Sequence, residues 1–276
     1  MTTTHQPSKR RTRPMTRRLF ALSKAESLQF LRNRLLVFIS LSLPLAFPLL
    51  FHFTGISEAF GTEGISAART LEIFTLMALL FLQFYSVLSM TTTRRDDKVL
   101  KRLRTGEARD REILASLAAP GFLLTIGLTV ILSVAIAFLN KTSPITGVIT
   151  AIAVVLGLLV AIFFALITSS FTNNAEAAQL TSMPVLFLAM LSQASIALSF
   201  PTELSDILSR TPFALVIELL YLDWAGAPLE AYLDGELNSS VMDTFEDAGL
   251  PLALLTAWTL VLGWLAQRCM RWETNR

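Results

Sequence analysis

Few side chains in this chain of 276 residues could do chemistry. There are two histidines, His5 and His52, and a single cysteine, Cys269. That set cannot assemble a histidine-based zinc site, a Ser-His-Asp triad or an intramolecular disulfide. No G-x-x-x-x-G-K-[ST] run is present, so ATP cannot be bound and hydrolysed through such a loop. Asp96-Asp97 is an acidic pair, but no second pair follows at helical spacing, which argues against a diphosphate-using membrane transferase. Within the apolar stretches only His52 and Glu72 are ionisable, and both lie near ends. Ion-coupled carriers need intramembrane carboxylates or histidines to bind and relay the coupling ion, so self-powered transport is disfavoured. Gln83 and Gln193 read as hydrogen-bonding glue between helices, and His52 and Cys269 as packed or interfacial residues.

The elements that carry these residues are apolar. The chain is 53% hydrophobic and 16% charged, too greasy for a soluble domain of this length. A spanning helix needs roughly 20 apolar residues, and six stretches qualify: about 35–54, 71–92, 113–139, 146–170, 180–200 and 250–267. The expected fold is an all-α membrane protein, a six-span domain over 35–276. Residues 1–15 read as a disordered basic tail, and 16–34 as an amphipathic helix on the membrane surface, with Leu19, Phe20, Phe30 and Leu31 to one side. "TRRLFAL" at 16–22 mimics a twin-arginine export signal, but no apolar region follows it directly and no small-x-small cleavage site follows the first span. Pro44 and Pro48 predict a kink in that first span.

Lysine and arginine set the orientation. Nine lie in 1–34, eight in 93–112 and three from Arg268 onward, against Arg69, Lys141 and Arg210 on the other side. Both termini and the 93–112 segment are therefore expected in the cytoplasm. The pI of 8.9 then reflects topology and contact with anionic inner-leaflet lipid, not nucleic-acid binding. On the outer side, 201–249 is rich in acid, and its apolar run from Phe213 to Leu222 is too short to cross. Re-entrant or interfacial helices are expected there, with Tyr221 and Trp224 in the headgroup zone.

The most charged stretch lies between spans two and three. From Arg94 to Glu112, thirteen of nineteen residues are charged. As a helix, 94–104 places Val99, Leu100 and Leu103 on one face, with Lys101 and Arg102 elsewhere, and Gly106 ends it. Such a helix can dip into headgroups or dock its apolar trio in a partner's groove. Periodicity leaves both open.

"VLKRLRTGEARDREILASLAAP" resembles the charged cytoplasmic segment of type-2 permeases of ATP-binding-cassette (ABC) transporters, which export drugs, polysaccharides and antibiotics. Leu100, Lys101, Arg102, Leu103 and Arg104 match the L-K-R-L-R of that family, with Thr105-Gly106-Glu107 where many members have a proline turn. "FTNNAEAAQLTSMP" at 171–184 is similar to the family's inner loop before the fifth span, although Ser192-Gln193 stands where members often have Ser-Gly. The resemblance implies a permease subunit, not itself an enzyme. It implies a coupling helix at Val99, Leu100, Lys101, Arg102, Leu103 and Arg104 that docks a separate ABC ATPase, with ATP bound by that partner and no cofactor in this chain. It further implies a second permease copy or paralogue, a plasma-membrane location, and outward movement of an amphipathic or lipophilic substrate. A stand-alone carrier or channel is the main alternative, and a membrane-embedded transferase the lesser one.

Overall fold

The computed structural model describes residues 15–32, 34–54, 62–96, 110–174, 176–233 and 241–269, and these are mostly helical, joined by short turns, with no strand among them. Helix α1 is Met15–Arg32 and α2 is Arg34–Phe53, the latter running through Pro44 and Pro48. Next comes a continuous helix in three parts: α3, Glu63–Met77; a π-helical segment, Ala78–Tyr85; and α4, Ser86–Asp96. Helix α5 is Asp110–Leu139, α6 is Val148–Phe171 and α7 is Ala177–Leu191. Short helices follow: α8, Ala194–Ala197; α9, Thr202–Ser209; α10, Pro212–Ala225; and α11, Leu229–Leu233. Helix α12, Val241–Cys269, is the last described element.

Four helices are long and apolar enough to cross a membrane: Glu63–Arg95, Glu112–Leu139, Val148–Phe171 and Val241–Cys269. Leu41–Phe51 within α2, and α7, are shorter apolar helices. Burial separates the four. The apolar window of Glu63–Arg95 is 67% buried and that of Glu112–Leu139 only 22%, so the first is the axis of the bundle and the second lies at its edge. Helix α10 packs against α3, α6 and α12, and α1 lies along α5.

Three features depart from the pattern of apolar runs. One span was expected over 180–200, but the helix stops at Leu191 and resumes at Ala194. Ser192 turns its hydroxyl back to the Leu188 carbonyl, Gln193 is extended at φ −63°, ψ 132°, and the Ala194 N–H goes to Glu72 Oε1 at 2.8 Å. A side chain on another helix thus takes the donor that a continuous helix would have used. The last helix starts at Val241, well before the apolar run at 250. The π-helical segment has no apolar signature. There the Ser86 hydroxyl donates to the Phe81 carbonyl at 3.2 Å, five residues back.

Helix α10 is buried on almost every face, from Pro212 to Trp224 except Glu218, as expected for a helix apolar all round. It ends at Gly226, whose φ of 78° is the left-handed cap that glycine adopts without a Cβ penalty. Tyr221 and Trp224 do not lie exposed for headgroups. Both are buried, at 1% and 3% exposure, because each polar tip finds a partner inside the protein. The apolar side of α1 also divides. Phe30 is buried with Glu26, whereas Phe20, Leu28 and Leu31 are exposed.

Candidate functional site

Val99, Leu100, Lys101, Arg102, Leu103 and Arg104 lie outside the described residues, as do Asp97, Gly106 and His5. The structure does define the frame on which that segment is mounted. Its entry is the end of α4, where adjacent arginines diverge to different neighbours. Arg94 makes a two-pronged ion pair with Glu26 of α1, and its Nη2 also donates to Gln29 Oε1 at 2.9 Å. Both members of the pair are nearly enclosed, with side chains 10% and 7% exposed, so the contact excludes most solvent screening.

Arg95 turns to α6. It donates through Nη1 to the Ser169 carbonyl at 2.7 Å and through Nη2 to the Thr172 carbonyl. These oxygens are at the C-terminal end of α6, where the last turn lacks intrahelical donors and carries partial negative charge. The Thr172 hydroxyl also meets the Thr181 hydroxyl at 2.8 Å, which links the turn to α7. In the 171–184 motif, Asn174 Oδ1 accepts the Ala177 N–H at 2.7 Å and so starts α7.

The exit of the segment is the start of α5. Glu112 and Ile113 are buried there, and Ile113 and Leu117 form a small cluster with Met90 of α4. Because α1 lies along α5 and is pinned to α4 through Arg94, both ends of 97–109 are held by one unit of α1, α4, α5 and the end of α6.

The opposite end of the bundle is held by carboxylates. Glu72 is 3% exposed and accepts from the Tyr221 hydroxyl and the Ala194 N–H, each at 2.8 Å, joining α3, α10 and the break after α7. Asp223 is fully buried. Its Oδ1 accepts from the Thr146 N–H at 2.9 Å, the Thr146 hydroxyl at 2.8 Å and the Gly147 N–H at 3.2 Å. Its Oδ2 accepts from the Thr150 N–H at 3.0 Å and the Thr150 hydroxyl at 2.6 Å. The Trp224 indole donates to that same hydroxyl at 3.2 Å.

Gln83 behaves as interhelical glue. Fully buried in the π-helical segment, it donates to the Ala118 carbonyl of α5 at 3.4 Å. Gln193 contributes through its backbone at the α7–α8 break. His52 falls in the last turns of α2, and Cys269, half-buried and free, ends α12. In the sequence Arg94, Arg95 and Asp223 read only as charge and Tyr221 and Trp224 only as headgroup residues, and no motif singles out Glu26 or Glu218. A carboxylate inside an apolar run, as at Glu72 and Glu218, was the available signal.

A bundle of long apolar helices, with a buried ion pair at one end and carboxylate caps at the other, defines a multi-pass membrane protein. Residues 17–202 match the family model of the ABC-2 type transporter, and the chain belongs to that family. It is accordingly a membrane permease component of an ABC transporter. The matched region runs from α1 to the start of α9 and so includes 97–109 with its whole frame. No curated protein matches the chain significantly.

Proposed function

We propose that the chain is the permease subunit of an ATP-driven exporter, coupled through Val99–Arg104 to a separate ATPase subunit. Six membrane crossings, both termini and the coupling segment in the cytoplasm, and a plasma-membrane location complete the reading, on the weight of the lysine and arginine distribution. A second permease, identical or paralogous, pairs with it, and an amphipathic or lipophilic molecule is moved outward. ATP is bound and hydrolysed in the partner, and this chain needs no cofactor of its own.

The observation that carries the proposal is the frame of the charged segment within a chain of this family. A remote energy source must act through an element with two positions on a rigid mount. Arg94 on Glu26 and Arg95 on the end of α6 supply such a mount on the entry side, and buried Glu112 and Ile113 supply it on the exit side. The apolar trio Val99, Leu100 and Leu103 then occupies the partner's groove, while Arg102 and Arg104 set docking strength and its salt sensitivity.

Affinity purification of the tagged chain from its host in mild detergent tests this. The expected result is near-equimolar recovery of an ATPase with a phosphate-binding loop, lost in Leu103→Asp while membrane insertion is retained. Normal ATPase association and normal export in that variant would overturn the coupling assignment. Transport that persists without any ATPase and follows an ion gradient would favour a stand-alone carrier.

A further inference from the structure

A cavity of about 370 Å³ opens among the α7–α8 break and helices α9, α10 and α11, at the end of the bundle away from the charged segment. Its size suits a small organic ligand. Leu198 and Ile217 give it apolar wall, Ser205 and Ser209 give hydroxyls, and Glu218 and Glu230 give carboxylates. No lysine, arginine or histidine is among its described lining residues.

Glu218 is the unusual member. The two fully enclosed carboxylates nearby are engaged, Glu72 by Tyr221 and Ala194 and Asp223 by five donors. Glu218 has no hydrogen-bond or ion-pair partner among the described residues. Burial pushes its carboxyl up to about 7. The titratable groups lining the cavity with it are Glu230 from α11 and Tyr221 from α10, whose hydroxyl is given to Glu72, and behind them the Arg69 cation of α3 acts on Glu72 and Tyr221. An ionised carboxylate left partly desolvated and without a partner is unfavourable until a cation arrives. An anion would meet two like charges.

We infer that this cavity receives the cationic group of an amphipathic molecule, such as an organic ammonium or phosphonium, with Glu218 as its counter-ion and the apolar wall taking the hydrocarbon part. This rests on the exporter reading and narrows its substrate class from amphipathic to cationic amphipathic.

The test is direct binding of tetraphenylphosphonium to the purified full chain in maltoside, with neutral triphenylphosphine oxide as comparator. Saturable binding of the cation is expected, weakened at least tenfold in Glu218→Gln and in Ser209→Lys, which places a cation at the exposed mouth. The neutral comparator should bind all three proteins alike. Affinity should fall as pH is lowered from 8 to 5.5, because protonation near 7 removes the counter-charge.

The fold of Glu218→Gln is checked by melting. A carboxyl with a raised folded pKa loses stability for the protein as pH rises from its unfolded value towards 7, so the amide variant should melt higher than wild type at pH 8. Equal cation binding in Glu218→Gln, or affinity independent of pH, would overturn the inference. So would stoichiometric displacement by added phosphatidylethanolamine, which would make the occupant a lipid amine headgroup. Because no ATPase is present in this assay, its outcome is separate from co-purification, and either reading can fail without the other.

Discussion

Helix α6 shows the same device at its two ends with opposite charge. It is the most apolar of the candidate spans, with a mean hydropathy of 3.0, and has no acid in its first turn and no base in its last. Asp223 reaches its N-terminal end and Arg95 its C-terminal end, each on the side the helix dipole favours. The groups they satisfy differ in what remains when the cap is gone. Asp223 holds three N–H groups of Thr146, Gly147 and Thr150. A buried N–H without an acceptor is costly. Arg95 holds carbonyls, and the Ser169 oxygen also accepts the Thr172 N–H at 3.3 Å, so it stays partnered without the arginine. Carbonyls tolerate partial satisfaction better than N–H groups do.

The largest effect should therefore come at the Asp223 end. Asp223→Ala strands three backbone donors and frees two threonine hydroxyls, at a cost of about 4 kcal/mol or more on the usual scale for unsatisfied buried donors. Little folded protein should be recovered by size-exclusion chromatography in detergent. An apolar substitution at Thr146 or Thr150 should not rescue it, since the three stranded donors are backbone N–H groups that such a change leaves in place. Full recovery with an unchanged melting temperature would show that Asp223 is not the cap on which α6 depends.

Arg94, next to Arg95, gives an intermediate effect of a different kind, because its main partner is a side chain. Arg94→Met leaves the Glu26 carboxylate buried and alone, which costs about 3 kcal/mol. Replacing both, as Arg94→Met with Glu26→Leu, removes the stranded charge and should restore most of the lost stability. Melting of the two single variants and the double variant measures the coupling. Additive losses would mean that the pair does not join α1 to α4 energetically. The double variant also separates folding from transmission. Should it melt like wild type yet couple ATP hydrolysis poorly, the ion pair belongs to the mount of the coupling segment.

These caps also show what sequence could and could not reveal. Long apolar composition marks where α5, α6 and the continuous helix from α3 to α4 lie, because a membrane-length run of Leu, Val, Ile and Ala has few other outcomes. The L-K-R-L-R run at 100–104 drew attention to the charged segment, and the family match spans it. The caps of α6 were illegible because they come from afar. Asp223 is 73 residues from Thr150 and Arg95 is 77 from Thr172, and nothing local to α6 marks either. The interruption after Leu191 was hidden for the same reason, since the Ala194 N–H is taken by Glu72, 122 residues away. Glu218 was obscured by its setting, a lone acid in the run Phe213–Leu222, where the apolar neighbours dominate any average.

The smallest effect tests the other half of the α6 comparison. Arg95→Met removes a favourable charge from the helix end and one hydrogen bond from each of two carbonyls. The dipole contribution is about 0.3–1 kcal/mol, and the bonds add about 1 kcal/mol more because the Ser169 oxygen keeps a partner. A modest fall in melting temperature is expected, clearly less than for Asp223→Ala, with the helical circular-dichroism signal unchanged. A loss as large as that at Asp223 would mean that Arg95 does more than cap α6. It would then act as a structural strut between α4 and the α6–α7 turn, and the stiffness of the mount would rest on it more than on the Arg94–Glu26 pair.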